Sequence, residues 1–286
     1  MLLQLVASQM QGEAPTQLHG LKTIDFESHS IGLSASQIAS AKQAYASFMN
    51  SLIATASTSW GQSGKTKEAL IALVGSITSA IWKYFEPAET YLFTESFLPC
   101  GGQKPKADCD SSAMIVAHIL ANLAIPCTLI SLPAHVVLKA GTPATGSIYF
   151  ETTTGKNGTN DLVFYSGELE FNSKYPQNKQ FGEYGIETPS LLDYSHRAWS
   201  YTNQGKFELA VSDLSEAIAL YARQNPQNPA APKLFYSRAA AYANLGKYKE
   251  ASSDLLAAQN ELLRRDLGIP VEMFILEYSI KKGLAK

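Results

Sequence analysis

Apolar residues recur every three or four positions from Ser34 to Thr58, where Ile38, Ala41, Tyr45, Phe48, Met49 and Leu52 share one face, and this spacing predicts an Ala-rich helix. A second stripe of Ala69, Leu70, Leu73, Ile77, Ile81 and Trp82 predicts a helix over Lys65 to Phe85, ended by Pro87. The pattern then shortens. A helix over Ser111 to Leu123 and a turn at Ile125-Pro126 lead into runs that read as strands at Cys127–Leu132, His135–Ala140 and Ile148–Thr153. One helix followed by an antiparallel sheet is an α+β order, not a βαβ one. Residues 1–33 show no clear period, and residues 88–108 read as an irregular approach to Cys109. The polar, tyrosine-rich stretch 164–187 reads as a flap that also connects to the helix-forming region behind it.

From about Leu191 the chain turns to helix formers and repeats itself. In "RAWSYTNQGKFELAVSDLSEAIAL" and "RAAAYANLGKYKEASSDLLAAQNEL", Gly205 aligns with Gly246, Phe207 with Tyr248, Ala210 with Ala251, Leu214 with Leu255 and Ala217 with Ala258. Small residues at these places let paired helices approach, and Trp199, Tyr201, Phe207, Tyr236, Tyr242 and Tyr248 are expected as filling between them. A last helix over Val271 to Leu284, apolar at Met273, Phe274, Leu276, Ile280 and Leu284, suits a cap on the open repeat face. Two such units are fewer than usually stand alone, so they are expected to pack on the domain before them or on that cap.

Composition adds boundaries. With 286 residues, 45% hydrophobic and 17% charged, the chain has enough apolar material for two globular units. A net charge of -2 without a Lys/Arg cluster argues against nucleic acid as a partner. No apolar run approaches the roughly 20 residues that span a bilayer, and Met1 to Val6 lacks a basic flank. The chain as given reads as cytoplasmic, or as exported if a signal was removed.

"WGQSGKT" imitates a phosphate loop, but Ser59 stands where the first glycine belongs and a helix, not a strand, precedes it. It reads as a turn. Cys100, Cys109 and Cys127 have no metal-ligand spacing and no even disulfide arithmetic, so no metal and no cofactor is expected. Cys109 stands out because a helix start supplies unpaired N–H groups and a positive dipole end, which favour a thiolate. Its neighbours Asp108 and Asp110 act the other way, so an active sulfur needs a base. His118, nine residues on, is about two and a half helical turns away and on another face, and is expected near the surface or an adjoining domain.

His135 leads a strand, and pairing Ala140 with Gly146 across a five-residue loop sets it directly opposite Glu151. Glu151 then orients one imidazole nitrogen and leaves the other for the proton of Cys109. Gln103, in the preceding loop, is a candidate oxyanion donor with the backbone N–H of Cys109.

A helix-leading cysteine, "IPCTLISLPAHVVL" and the acid of "YFETTTG" resemble the transglutaminase-like branch of the papain-like fold, and the repeats behind them resemble tetratricopeptide repeats. The order is similar to that of bacterial members carrying both. The resemblance covers about residues 70–155 and 191–263, and implies Cys109 as nucleophile, His135 as base and Glu151 as orienting acid. Most such proteins have Asp as the third residue, and an aromatic often follows the histidine where this chain has Val136-Val137.

The expected architecture is thus α+β: a papain-like/transglutaminase-like catalytic domain with an N-terminal helical part in 1–187 (core about 65–165), then an all-α repeat region in 188–286. The expected function is cysteine-dependent amide hydrolysis, as a peptidase or amidase working through a thioester, with the repeats recruiting a peptide or protein partner. Transglutaminase-type acyl transfer is one alternative. An inactive scaffold whose repeats bind protein is another.

Overall fold

The computed structural model describes residues 18–88, 92–133, 135–153, 162–177, 180–187, 189–225 and 231–285. Three helices open it: α1 (Gly20–Ser28), α2 (Ala35–Gln62) and α3 (Lys67–Tyr84). Helix α2 starts at Ser34 because a capping box forms there with Gln37, and Thr66 caps α3 by accepting the N–H of Ala69. Ser63 to Thr66 of "WGQSGKT" is the turn between them, with Lys65 at a φ of 53°. Short strands β1 (Glu86–Pro87) and β2 (Lys106–Ala107) pair in parallel and flank a 3-10 turn at Phe93–Phe97.

Helix α4 (Cys109–Asn122) is the centre, buried at every position from Ser111 to Leu120. Side chains hydrophobic on all sides need cover on all sides. Helices α2 and α3 supply it on one side, and strands β3 (Cys127–Leu132) and β4 (His135–Ala140) on the other. Tyr45, Met49, Ile53 and Trp60 form the buried stripe of α2, each worth about 1.5–3 kcal/mol when fully covered.

The sheet is antiparallel, in the order β6-β5-β4-β3-β7, with β5 at Ile148–Glu151, β6 at Val163–Tyr165 and β7 at Gly182–Tyr184. Leu129, Val136, Leu138, Ala140, Ile148 and Phe150 share the main core with α4. Ile130, Leu132, Val137 and Tyr149 face the other way and bury Phe171 of α5 (Glu168–Lys174), whose ring stacks on Tyr149 at 4.2 Å. The stretch expected as a flap is therefore largely structural: it supplies both edge strands and the helix between them. Its aromatic residues close the second sheet face, which a reading centred on its polar residues misses.

Helices α6 (Leu191–Asn203) with α7 (Phe207–Gln224), and α8 (Pro232–Asn244) with α9 (Tyr248–Arg264), form two hairpins. They are copies in detail. Gly205 and Gly246 turn at φ of 70° and 71°, and Arg197 clasps Asp213 as Arg238 clasps Asp254, each through two bonds of 2.7–2.9 Å. The first hairpin joins the core through Leu191, Leu192, Ala198 and Leu214, so buried apolar packing is continuous between the two halves of the chain.

Helix α10 (Val271–Leu284) caps the second hairpin through Met273, Leu276 and Ile280. Phe274 and Leu284, expected in that contact, are exposed, because the inward stripe follows the three-and-four spacing from Met273. Trp199, also expected as filling, is 40% exposed, whereas Tyr201 is buried at 9%. Among the described residues no helix is long and apolar enough to cross a membrane.

Candidate functional site around Cys109 and His135

Cys109 opens α4 because Asp108 caps it, its carboxylate accepting the N–H of Ser111 at 2.9 Å. The sulfur is half-buried and donates to Oδ1 of Asp110 at 3.3 Å. Burial, then the charges of Asp110 and Asp108, push the thiol well above its ordinary range. A hydrogen bond from the backbone N–H of Val136 acts in the opposite sense. That N–H belongs to the residue after His135, so the start of α4 meets the start of β4.

His135 Nε2 lies 2.6 Å from Glu151 Oε2, and Tyr175 donates its hydroxyl to the other oxygen, Oε1, at 2.6 Å. Burial raises the Glu151 carboxyl, but the bonds from His135 and Tyr175 outweigh it and leave the group below its ordinary value. The strand end is fixed from behind. Thr152 shares a 3.0 Å hydroxyl contact with Ser112 of α4 and accepts the Trp82 indole N–H at 2.8 Å.

The expected pairing of these two strands is off by two residues. Leu138 pairs with Phe150 and Ala140 with Ile148, a register that sets Val137, not His135, opposite Glu151. The loop is longer than expected because Thr142 and Thr145 fold a turn inside it, and Gly141 sits where a Cβ would strike the carbonyl of Gly146. A shift of two preserves the face. His135 and Glu151 are thus diagonal neighbours, close enough for long side chains.

They project on the face that carries α5, whereas Cys109 approaches from the α4 side. The two groups meet at the β4 backbone, and the thiol's hydrogen bond goes to Asp110 rather than to the imidazole. Gln103 is exposed. It lies in an exposed turn whose N–H bonds to the Cys100 carbonyl, and with Ser40, Tyr84 and Cys100 it lines a cavity of about 450 Å³. Cys100 donates to the Gln103 carbonyl, and Cys127 donates to the Ala117 carbonyl from a half-buried position that pushes its thiol up to about 12.

A second charged chain runs from Cys109 in the other direction. Oδ2 of Asp110 lies 3.2 Å from Nε2 of His196 on α6, and Nδ1 of His196 lies 3.9 Å from Oε1 of Glu27 on α1. Glu27 is fully buried and accepts the N–H groups of Phe93 and Thr94 and the Thr94 hydroxyl. Burial lowers the His196 pKa, but the hydrogen bond to Asp110 and the charges of Asp110 and Glu27 outweigh it and carry it to about 10, so the ring is an imidazolium at neutral pH. Sequence reasoning missed His196, Glu27 and Tyr175. Only a long-range contact signal identifies the first two, while Tyr175 is flagged by the aromatic clustering of its segment.

His118 is not near the surface. It is fully buried, 3.3 Å from the Tyr45 hydroxyl and stacked on His19 at 5.6 Å between ring centroids. Among the described residues, no three His, Cys, Asp or Glu side chains group as metal ligands. Compared with known proteins, the chain matches no family model and no curated protein.

Proposed function

We propose that the protein is a cysteine-dependent amide hydrolase of transglutaminase-like, papain-like type, with tetratricopeptide-like repeats that recruit a peptide or protein. The observation that carries this reading is the 2.6 Å His135–Glu151 contact at the strand start whose next N–H faces the Cys109 sulfur. Glu151 fixes the tautomer of His135 through Nε2 and leaves Nδ1 for the thiol proton, which reaches it around the open start of β4 once the sulfur turns from Asp110. The sulfur then attacks an amide carbonyl, and the N–H groups of Cys109 and Asp110 at the start of α4 donate to the developing oxyanion. His135 returns the proton to the departing amine. Water resolves the thioester, releasing the acid and restoring the thiol.

A second reading, a scaffold without catalysis, draws on the thiol's hydrogen bond to Asp110 and on its resistance to ionisation. One experiment separates the readings. The protein, Cys109→Ala and His135→Ala are each incubated with a mixed-sequence peptide library, with and without cadaverine, and the products are read by mass spectrometry. Cleavage by the unaltered protein alone supports the hydrolase. Cadaverine incorporation instead assigns acyl transfer, and no product under any condition favours the scaffold.

A further inference from the structure

Three separate segments converge on Cys109 from the side away from His135. Asp110 accepts the thiol hydrogen bond with one oxygen and faces His196 with the other, and His196 is backed by Glu27. The side chains of His196 and Asp110 are 16% and 19% exposed, so solvent screens their attraction little. His196 comes from the first repeat helix, which Arg197 pins to α1 by placing its guanidinium 3.5 Å from the Phe26 ring centroid and donating to the Phe26 carbonyl. The repeats therefore reach the sulfur through two hydrogen bonds.

We propose that Asp110 and His196 form a latch on Cys109: helix α6 holds Asp110 as a charged acceptor, which keeps the sulfur in its thiol form and turned from His135. Its meaning as regulation rests on the cysteine-nucleophile reading, whereas the coupling itself is readable on the thiol alone. Displacing α6, as a ligand on the repeats would, withdraws His196 and frees Asp110 from its fixed position.

The groups facing the sulfur are Asp108 and Asp110 on α4, the Val136 N–H on β4 and Tyr184 on β7. Those facing the Asp110–His196 pair are Glu27 on α1, Asp193 on α6 and Lys233 at the start of α8. Among these, Asp110 is the one anion hydrogen-bonded to the sulfur. Its removal is expected to raise reactivity, and the loss of His196 to raise it to a smaller degree, because Asp110 is then no longer held against the sulfur.

The test is the rate of Cys109 alkylation by limiting iodoacetamide, read per residue by mass spectrometry on the full chain. At pH 8, Asp110→Asn is expected to react at least tenfold faster, and His196→Gln several-fold faster. The double variant is expected within about twofold of Asp110→Asn, because His196 acts through Asp110. Should His196→Gln fail to fold, histidine NMR of the unaltered chain and of Asp110→Asn gives the answer, with the His196 titration well above 6.5 in the first and at least one pH unit lower in the second. An Asp110→Asn thiol no faster than the original, or a His196 that titrates near 6.5, overturns the latch. His135→Ala reports separately on the hydrolase reading: a latch that responds while His135 has no influence leaves the coupling intact and removes the nucleophile.

Discussion

Glu151 reaches His135 along a sheet diagonal, and the same carboxylate reaches Tyr175 with its second oxygen. A side chain one methylene shorter cannot hold both partners across a diagonal of roughly 7–8 Å. Glu151→Asp is therefore expected to destabilise the fold by about 1–3 kcal/mol and to abolish any His135-dependent reaction. Glu151→Gln keeps the reach and the acceptor for Tyr175, so it should cost less in urea unfolding. A Glu151→Asp protein as stable as the original would show that the diagonal contact is not made in solution.

Tyr175→Phe removes the donor to a carboxylate that is 8% exposed. The expected cost is about 1–3 kcal/mol. Glu151 should also take up its proton at a higher pH than before, because one of the bonds holding it down is gone. Urea midpoints compared at pH 4 and pH 7 test this. The variant's deficit should be larger at pH 7, where the carboxylate needs both partners.

His118 gives the fold an acid sensitivity of its own. Its burial, followed by the charge of His19, lowers its pKa to about 3 in the folded protein, against about 6.5 unfolded. The unfolded chain binds the proton first, so stability is lost as pH falls below 6.5 and the loss continues towards 3, at up to about 1.4 kcal/mol per pH unit. In His118→Gln the slope of stability between pH 6 and pH 4 is expected to be shallower by close to one proton. Chemical denaturation at half-unit steps of pH reads it directly.

The duplicated arginine pairs predict a graded pair of losses. Arg238→Ala strands Asp254, and Arg197→Ala strands Asp213, both nearly buried, so each is expected to cost about 3–5 kcal/mol. Arg197 also stacks on Phe26, a contact that adds about 0.5–2 kcal/mol. Thermal unfolding should place Arg197→Ala below Arg238→Ala, and an inverted order would contradict the packing of α6 on α1.

Gly283 carries the docking of the last helix. A Cβ there would enter the ring of Tyr248. Gly283→Ala is expected to lift α10, exposing Met273 and Ile280, and to make residues 271–284 exchange amide hydrogens on the timescale of local opening. Unchanged protection over that segment would place the helix elsewhere.

The alternation of apolar and polar residues makes the shared face of His135 and Glu151 legible, because a sheet has a period of two. Their offset is not legible, since it depends on how Thr142, Thr145 and Gly146 fold the intervening turn. The helix hairpins can be read from Gly205 and Gly246, where a positive φ is required. In contrast, nothing local joins Asp110 to a histidine 86 residues away, and a buried Glu27 looks like any other charge in a stretch without periodicity. Stretch 164–187 looks like a flap because its charged residues mask Phe171 and Tyr184, which are buried.

The dependence of Cys109 on α6 also sets an order of events during synthesis. A ribosome adding 5–20 residues per second delivers His196 on the order of ten seconds after Asp110. Until then the newborn chain holds its cysteine beside two acids with no imidazolium to balance them. The surroundings of the sulfur are therefore completed only when the first repeat helix arrives. A truncation before residue 191 would leave the core sequence present and its cysteine in an unfinished setting.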